Sequence, residues 1–299
     1  MSSGRSRKGR RRMRNGSRAF LIMALPAAAL FFVFHTVPAL QGLFYSFTDS
    51  RGYGSWDFVG LDNYVRLFQD GDVLDSYVFT LGFAVVSTFA ANIISILLAL
   101  ALSANIRFRS FMRSVYFLPA ILSVIVVSYI FNTIFSTGVP QIGKALGIDW
   151  LSTNILGSPD TAWIGVVIVT VWRYCSTITV IYIAGLQTVP EDVVEAAHLD
   201  GASAWRRFWS ITVPLIAPFF TINILLSFKD FVQVFDQIVA LTEGGPGNAT
   251  QSISFLIYRA GFAGGEFGYQ SANAVVYFVI IAVLSAFQIR FHRRRETAA

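Results

Sequence analysis

Apolar residues in this chain run in long unbroken stretches instead of alternating with polar ones. Ala19–Thr48, Ser76–Ile106, Ser114–Gly143, Phe208–Phe228 and Phe267–Ile289 each contain no Asp, Glu, Lys or Arg. Each has at least the roughly 20 residues that an α-helix needs to cross a hydrocarbon core of about 30 Å. A sixth run, Thr161–Pro190, is broken only by Arg173. Runs of this length exclude half-buried strands. The pattern predicts an all-α polytopic membrane protein with six transmembrane helices.

One polar stretch, Thr188–Pro218, interrupts the pattern with Glu191, Asp192, Glu195, His198, Asp200, Arg206 and Arg207. Thr188 and Glu191 have capping-box spacing, so a helix is expected to start there with Pro190 in its first turn. Gly201 interrupts it, and Asp200 or Ser203 can cap a second piece. In that piece Trp205, Phe208 and Trp209 fall at i, i+3 and i+4, on one aromatic face. Arg206 and Arg207 point elsewhere, and Pro214 and Pro218 mark entry into the fifth span. The expected product is a helix–turn–helix insert whose small Ala196, Ala197 and Gly201 allow close approach. Four acidic residues suit a protein partner better than an anionic lipid surface.

The charges orient the spans. Of the 299 residues only 13% are charged, and the net charge is +6. Eight Arg or Lys lie within residues 1–18, and Arg290, Arg293, Arg294 and Arg295 follow the last run. Positive charge at span ends holds a terminus in the cytoplasm. Residues 49–75 hold two Arg against six Asp and are expected outside; Arg107, Arg109 and Arg113 place the next loop inside. The expected organisation is a basic cytoplasmic tail at 1–18, a six-helix domain at 19–292 with a cytoplasmic insert at 188–212, and a cytoplasmic tail at 293–299. The first run exceeds a cleaved signal sequence, so it reads as an uncleaved helix. Basic tails beside an anionic leaflet explain the charge without nucleic acid.

Little else suggests chemistry. One cysteine, Cys175, excludes a disulfide framework, and three scattered histidines offer no metal or catalytic cluster. No cofactor is expected. "GVPQIGKA" (138–145) has the spacing of a phosphate-binding loop, but Ala145 stands where Ser or Thr must reach magnesium, and a proline interrupts. The chain therefore has no ATPase site of its own.

The insert carries a resemblance. "EAAHLDGASAWRRFWSITVP" follows the EAA loop of bacterial ABC importer permeases: E-A-A, three residues, G, nine residues, I, one residue, L-P. Glu195, Ala196, Ala197, Gly201, Ile211 and Pro214 occupy those places, with Val213 where Leu is usual. "FVGLDNYVRLF" (58–68) and "FDQIVALTEGGPGNATQSISFLIYRAGF" (235–262) are similar to the first outer loop and the L-T-x-G-G-P loop of carbohydrate-uptake permeases of the maltose type. The chain looks closer to their first permease partner. The resemblance implies a type I importer core. Its insert (Glu195, Ala196, Ala197, Asp200, Gly201 and Trp205) would be a coupling helix seated in a separate ATPase subunit. It also implies a second homologous permease, two ATPase subunits and an extracytoplasmic sugar-binding protein.

Charges inside spans are costly and mark cavities or partners. Arg173 lies about twelve residues into its run, hence roughly 18 Å deep at 1.5 Å per residue. Thr170, Arg173 and Thr177 share one face at i, i+3 and i+7. Asp230, Gln233 and Gln237 do so on the fifth span. Two readings stay open: a structural Arg173–Asp230 pair, or a polar sugar-facing lining with Tyr174 among its aromatics. The expected function is translocation of a sugar or oligosaccharide by alternating access. The alternative is import of glycerol-3-phosphate or another polyol derivative.

Overall fold

The computed structural model describes residues 23–104 and 109–296. The tail at 1–18 and Arg107 lie outside the described residues. Among the described residues twelve helices follow one another, with two short 3-10 turns (Asp149–Leu151 and Ile155–Gly157) besides: α1 Met23–Tyr45, α2 Asp62–Leu67, α3 Gly71–Ser103, α4 Arg109–Ile121, α5 Val124–Leu146, α6 Pro159–Leu186, α7 Glu191–Leu199, α8 Ala204–Leu215, α9 Ala217–Val232, α10 Asp236–Leu241, α11 Ile253–Ala263 and α12 Phe267–Glu296. Among the described residues the only β-structure is an isolated bridge between Thr48 and Phe58. Five helices among the described residues are long and apolar enough to span a membrane, and a sixth span is made if the bent pair α8–α9 counts as one.

Two spans differ from the sequence reading. The third run does not form one helix: α4 ends at Ile121 and α5 begins at Val124. The fifth bends by 71° at Ile216, between α8 and α9. Pro214 and Pro218 flank that bend. Proline has no N–H to donate, and its ring presses on the carbonyl four residues back. The same clash accounts for three π-turns inside helices. Phe32–Thr36 precedes Pro38, Ile134–Gly138 precedes Pro140, and Phe208–Thr212 precedes Pro214. In each, the carbonyl four residues before the proline sits mid-segment, where the widened turn relieves the clash.

The chain forms two compact units. The first comprises residues up to 67 together with 260–275. Here the Asn63 amide donates to the carbonyls of Ser46 (3.0 Å) and Thr48 (2.8 Å). Arg66 pairs with Glu266 at 2.8 Å and lies 4.0 Å above the Tyr269 ring. Gly268 donates its N–H to the Ser50 carbonyl at 2.7 Å; a Cβ there would fall 2.2 Å from the Thr48 carbonyl oxygen.

The second unit comprises residues 68–259 and 276–299. Its centre is α3 packed on α6 and α9. The buried stripe of α3 is mostly small (Ala84, Ser87, Ala91, Ser95, Ala99), and α6 answers with Cys175 and Thr179, which reach the Ala91 and Ser95 carbonyls. Lipid tails are as apolar as Leu, so close backbone approach and hydrogen bonds must hold such helices together. Asn92 is the hub. It accepts from the Tyr182 hydroxyl at 2.7 Å and donates to Ser227 Oγ at 3.1 Å and the Thr88 carbonyl at 2.8 Å. One side chain thereby ties α3 to α6 and α9.

At the other end of α3, the loop between α10 and α11 is tied down. Gln251 Nε2 donates to Ser76 Oγ (3.1 Å), and the Ile253 N–H donates to Thr80 Oγ1 (3.0 Å). Arg259 donates to Asn248 Oδ1 at 3.0 Å and also to Gln251 Oε1. Gly244 has φ +79, and a Cβ would meet Phe255 at 2.7 Å, so both conformation and space demand glycine.

Asn92→Ala is expected to strand the fully buried Tyr182 hydroxyl and cost about 1–3 kcal/mol. Adding Tyr182→Phe should recover part of the lost Tm, measured on the detergent-purified protein. A double variant no more stable than Asn92→Ala would show that the pair is not coupled.

Candidate functional site

The insert is built from α7, a turn and α8. α7 starts at Glu191 behind Pro190, and its N-cap makes no side-chain hydrogen bond. The expected Thr188–Glu191 capping box is not formed. The Thr188 hydroxyl instead donates back to the Gly185 carbonyl at 2.7 Å, closing the end of α6. Glu191 and Asp192 in the first turn still favour the positive end of the helix dipole.

The C-terminus of α7 explains Gly201. With Asp200 as C-cap, the Gly201 N–H reaches the His198 carbonyl and the Ala202 N–H reaches the Ala197 carbonyl, each at 3.0 Å. These paired bonds form a Schellman motif, whose C′ residue adopts a left-handed conformation. Gly201 has φ +77, while a Cβ there would meet nothing within 4 Å. The glycine is required for its conformation, and the expected close approach at this residue is not seen within the chain. Ser203 then caps α8, its Oγ accepting from the Arg206 N–H at 3.3 Å. Arg207 holds the turn from behind, donating to the Ala202 carbonyl at 2.6 Å, with His198 Nδ1 at 3.2 Å.

The result is a short fixed helix that presents its side chains outward. Glu195, Ala196, Asp200, Gly201 and Trp205 are exposed, and Ala197 is half-buried. Leu199 is 87% exposed, an unusual position for leucine on a rigid helix and one that suits a covering partner. Trp205 stands apart from the others: with Trp209, 5.6 Å away, it lines an apolar groove against α3.

The seven mid-span residues are only partly brought together. Tyr174 packs edge-on against Phe231 at 4.8 Å, and the Arg173 guanidinium lies 5.5 Å from the Tyr174 ring centre. Arg173 and Tyr174 thus lie together against α9, where Asp230 precedes Phe231 in sequence. Arg173 and Asp230 make no ion pair. Arg173 Nε is buried without a hydrogen-bond partner, as is Thr170 Oγ1. Thr177 is exposed.

The expected shared face of Asp230, Gln233 and Gln237 is not continuous, because α9 ends at Val232 and α10 starts afresh at Asp236. Gln233 is exposed at the break, and Gln237 is buried. Sequence reasoning also missed a polar cleft of about 490 Å³ lined by Tyr129, Asn132, Ser136, Asn154, Thr242 and Glu243. None of the seven residues lies on it. Its signal was available: Tyr129, Asn132 and Ser136 recur at i, i+3 and i+7.

Comparison with known proteins supplies a family. Residues 91–297 match the model of the binding-protein-dependent transport system inner membrane component. The chain is 38% identical over 278 residues to the multiple sugar-binding transport system permease protein MsmF of Streptococcus mutans, covering 93% of this chain and 95% of that one. It is 36% identical over 283 residues to the probable starch degradation products transport system permease protein AmyD of Thermoanaerobacterium thermosulfurigenes, covering 95% and 96%. A chain of a bacterial ABC transporter involved in the import of the acidic polysaccharide alginate shares the fold. Its TM-score is 0.82 at 23% identity, over 95% of this chain and 99% of that chain. The helical core, the insert between its fourth and fifth spans and this match over most of the sequence agree: the chain belongs to the family of binding-protein-dependent transport system inner membrane components.

Proposed function

We propose that the chain is one permease subunit of an ATP-driven importer that moves a sugar or oligosaccharide across the bacterial cytoplasmic membrane by alternating access. The observation that carries this reading is the insert: an exposed helix, fixed by a Schellman turn and a serine cap, placed between two membrane spans. Such a helix can move as one body inside a partner's groove. The substrate class rests on the sugar and starch-product relatives.

In this reading residues 188–212 face the cytoplasm, as do the basic tails at 1–18 and 293–299, and 19–292 form the membrane domain. Glu195, Ala196, Ala197, Asp200 and Gly201 dock on an ATPase subunit. A second similar permease, a second ATPase and an extracytoplasmic sugar-binding protein complete the assembly. Arg173, Tyr174 and Asp230 supply the polar lining of the path, with Thr170, Thr177, Gln233 and Gln237 along the same spans. The unpaired Arg173 Nε supports this, since a buried donor without a protein partner costs about 1–3 kcal/mol unless a ligand or water meets it.

Reconstitution with its partner subunits and binding protein should give ATP-dependent sugar uptake into vesicles. Absence of uptake for every sugar the binding protein retains would overturn the substrate class.

Glu195→Lys is expected to abolish uptake while the full complex still assembles, read by co-purification and ATP hydrolysis; normal uptake would remove Glu195 from the docking surface. Gly201→Ala should cost about 1 kcal/mol of turn stability, because the new Cβ must be held at positive φ. Gly201→Asn, which tolerates that conformation, should retain more coupling. Equal uptake by the two variants would refute the conformational role of Gly201. Arg173→Gln is expected to raise the KM for sugar several-fold while leaving assembly intact, measured by initial uptake rates; an unchanged KM would exclude Arg173 from the path.

A further inference from the structure

The polar cleft of about 490 Å³ has the size of a small-molecule site. It opens at the end of the bundle opposite the insert, since α6 starts at Pro159, close to Asn154, and ends at Leu186 before the insert begins. α5 forms one wall, where Tyr129, Asn132 and Ser136 succeed one another over about 10 Å. Asn154 comes from the segment before α6, and Thr242 and Glu243 follow the end of α10. Phe131 packs on Trp172 at 5.2 Å, so the turn of α5 that bears Asn132 adjoins the turn of α6 that bears Arg173. The cleft is thus separate from the mid-span residues but borders them.

Its lining mixes one aromatic ring with donors and acceptors. Tyr129 is 56% exposed, so its ring is open to a ligand. Asn132 donates one amide hydrogen to the Leu241 carbonyl at 2.6 Å, which leaves its oxygen as an acceptor. Asn154 accepts the Leu156 N–H at 2.9 Å, which leaves its NH2 as a donor. Ser136 adds a hydroxyl, and Glu243 adds the one charge; no Arg, Lys or His stands among the lining residues. Glu243 has φ +49, and its N–H is held by the Ile238 carbonyl at 2.8 Å. Glycine would fit that turn without strain, so the carboxylate is kept there at a conformational cost. Costs of this kind gather at ligand-binding positions.

We propose that this cleft is an entry subsite for an uncharged sugar. The Tyr129 ring packs on the apolar C–H face of a pyranose, while the Asn132 oxygen, the Asn154 NH2, Ser136 and Glu243 pair with its hydroxyls. A sugar hydroxyl both donates and accepts, so it matches a lining that offers both. An amine would suit Glu243 but not the Asn154 donor. A phosphate or carboxylate would meet Glu243 as a like charge and find no cation on the walls to offset it. The inference rests on the transport reading for its carbohydrate class and sharpens it: the subsite admits neutral sugars and turns away glycerol phosphate and uronates before they reach Arg173. An open cleft suits that task, because a station on a path must bind well enough to capture and weakly enough to release.

The test is cysteine protection in the assembled complex, which needs neither ATP nor uptake. Ser136→Cys puts a thiol on the cleft wall, and Cys175, the chain's own cysteine, is buried. With partner subunits free of cysteine, labelling by a methanethiosulfonate reagent reports on the cleft. Neutral sugars (maltotriose, trehalose and raffinose) are compared as blockers with digalacturonate and trigalacturonate. At least one neutral sugar is expected to slow labelling several-fold, and the uronates to leave it unchanged. Tyr129→Ala or Asn154→Ala in the same background should remove the protection, whereas Tyr129→Phe, which keeps the ring, should retain it. Glu243→Gln should narrow the difference between neutral and uronate sugars. Labelling that no neutral sugar slows, or that uronates slow equally, would overturn the proposal. Import of a neutral sugar by a complex whose cleft stays unprotected would refute this subsite alone. Protection without import would leave the subsite standing and refute the transport reading.

Discussion

Helices in a bilayer gain nothing from being pressed together as hydrophobic objects, because the lipid around them is equally apolar. This constraint governs the second unit. Close approach comes from alanine and serine on the buried surface of α3, met by Cys175 and Thr179 of α6. Direction comes from Asn92, whose amide can satisfy all its partners only when α3, α6 and α9 stand in one arrangement. A small apolar residue there would pack equally well in several arrangements. The further bonds from Asn223 to the Ile178 carbonyl and from Ser95 to the Cys175 carbonyl fix the same register.

Proline acts on this frame as a local tool. Before Pro38 and Pro140 a widened turn absorbs the clash and the helix continues. At Ile216 two prolines four residues apart exceed what one π-turn relieves, and the chain turns by 71°. The bend carries the polar insert out of line with α9. The insert therefore starts from a corner and not from the end of a rod, and its orientation follows from Pro214 and Pro218 together with the cap at Ser203.

Much of this was legible in the sequence, for physical reasons that differ from place to place. Uncharged runs of twenty or more residues have few uses outside a membrane, so the spans and the all-α class could be read directly. Glycine at a helix end is a strong signal, and Gly201 was noticed, although for its size and not for its positive φ. The capping box failed because α7 starts later than the spacing assumes: Pro190 is its N-cap, and Thr188 still closes the end of α6 through the Gly185 carbonyl. The face drawn through Asp230, Gln233 and Gln237 failed because helix periodicity was carried across Gln233, where α9 stops. Asn92 and Tyr182 lie ninety positions apart, and no local pattern announces that they meet.

α3 has 33 residues, or about 50 Å at 1.5 Å per residue, well beyond a hydrocarbon core of about 30 Å. Tilt absorbs only part of the excess, so one end stands proud of the bilayer. Asp72 and Asp75 put charge at the first end of α3, and Ser76 and Thr80 just after them hold Gln251 and Ile253 of the loop after α10. The loop is therefore mounted on a post, at a height set by helix length. Removing one turn from α3 between Thr80 and Ala84 would lower that mount by about 5 Å and rotate it about the helix axis, altering the protein's outer relief without changing a residue of the loop.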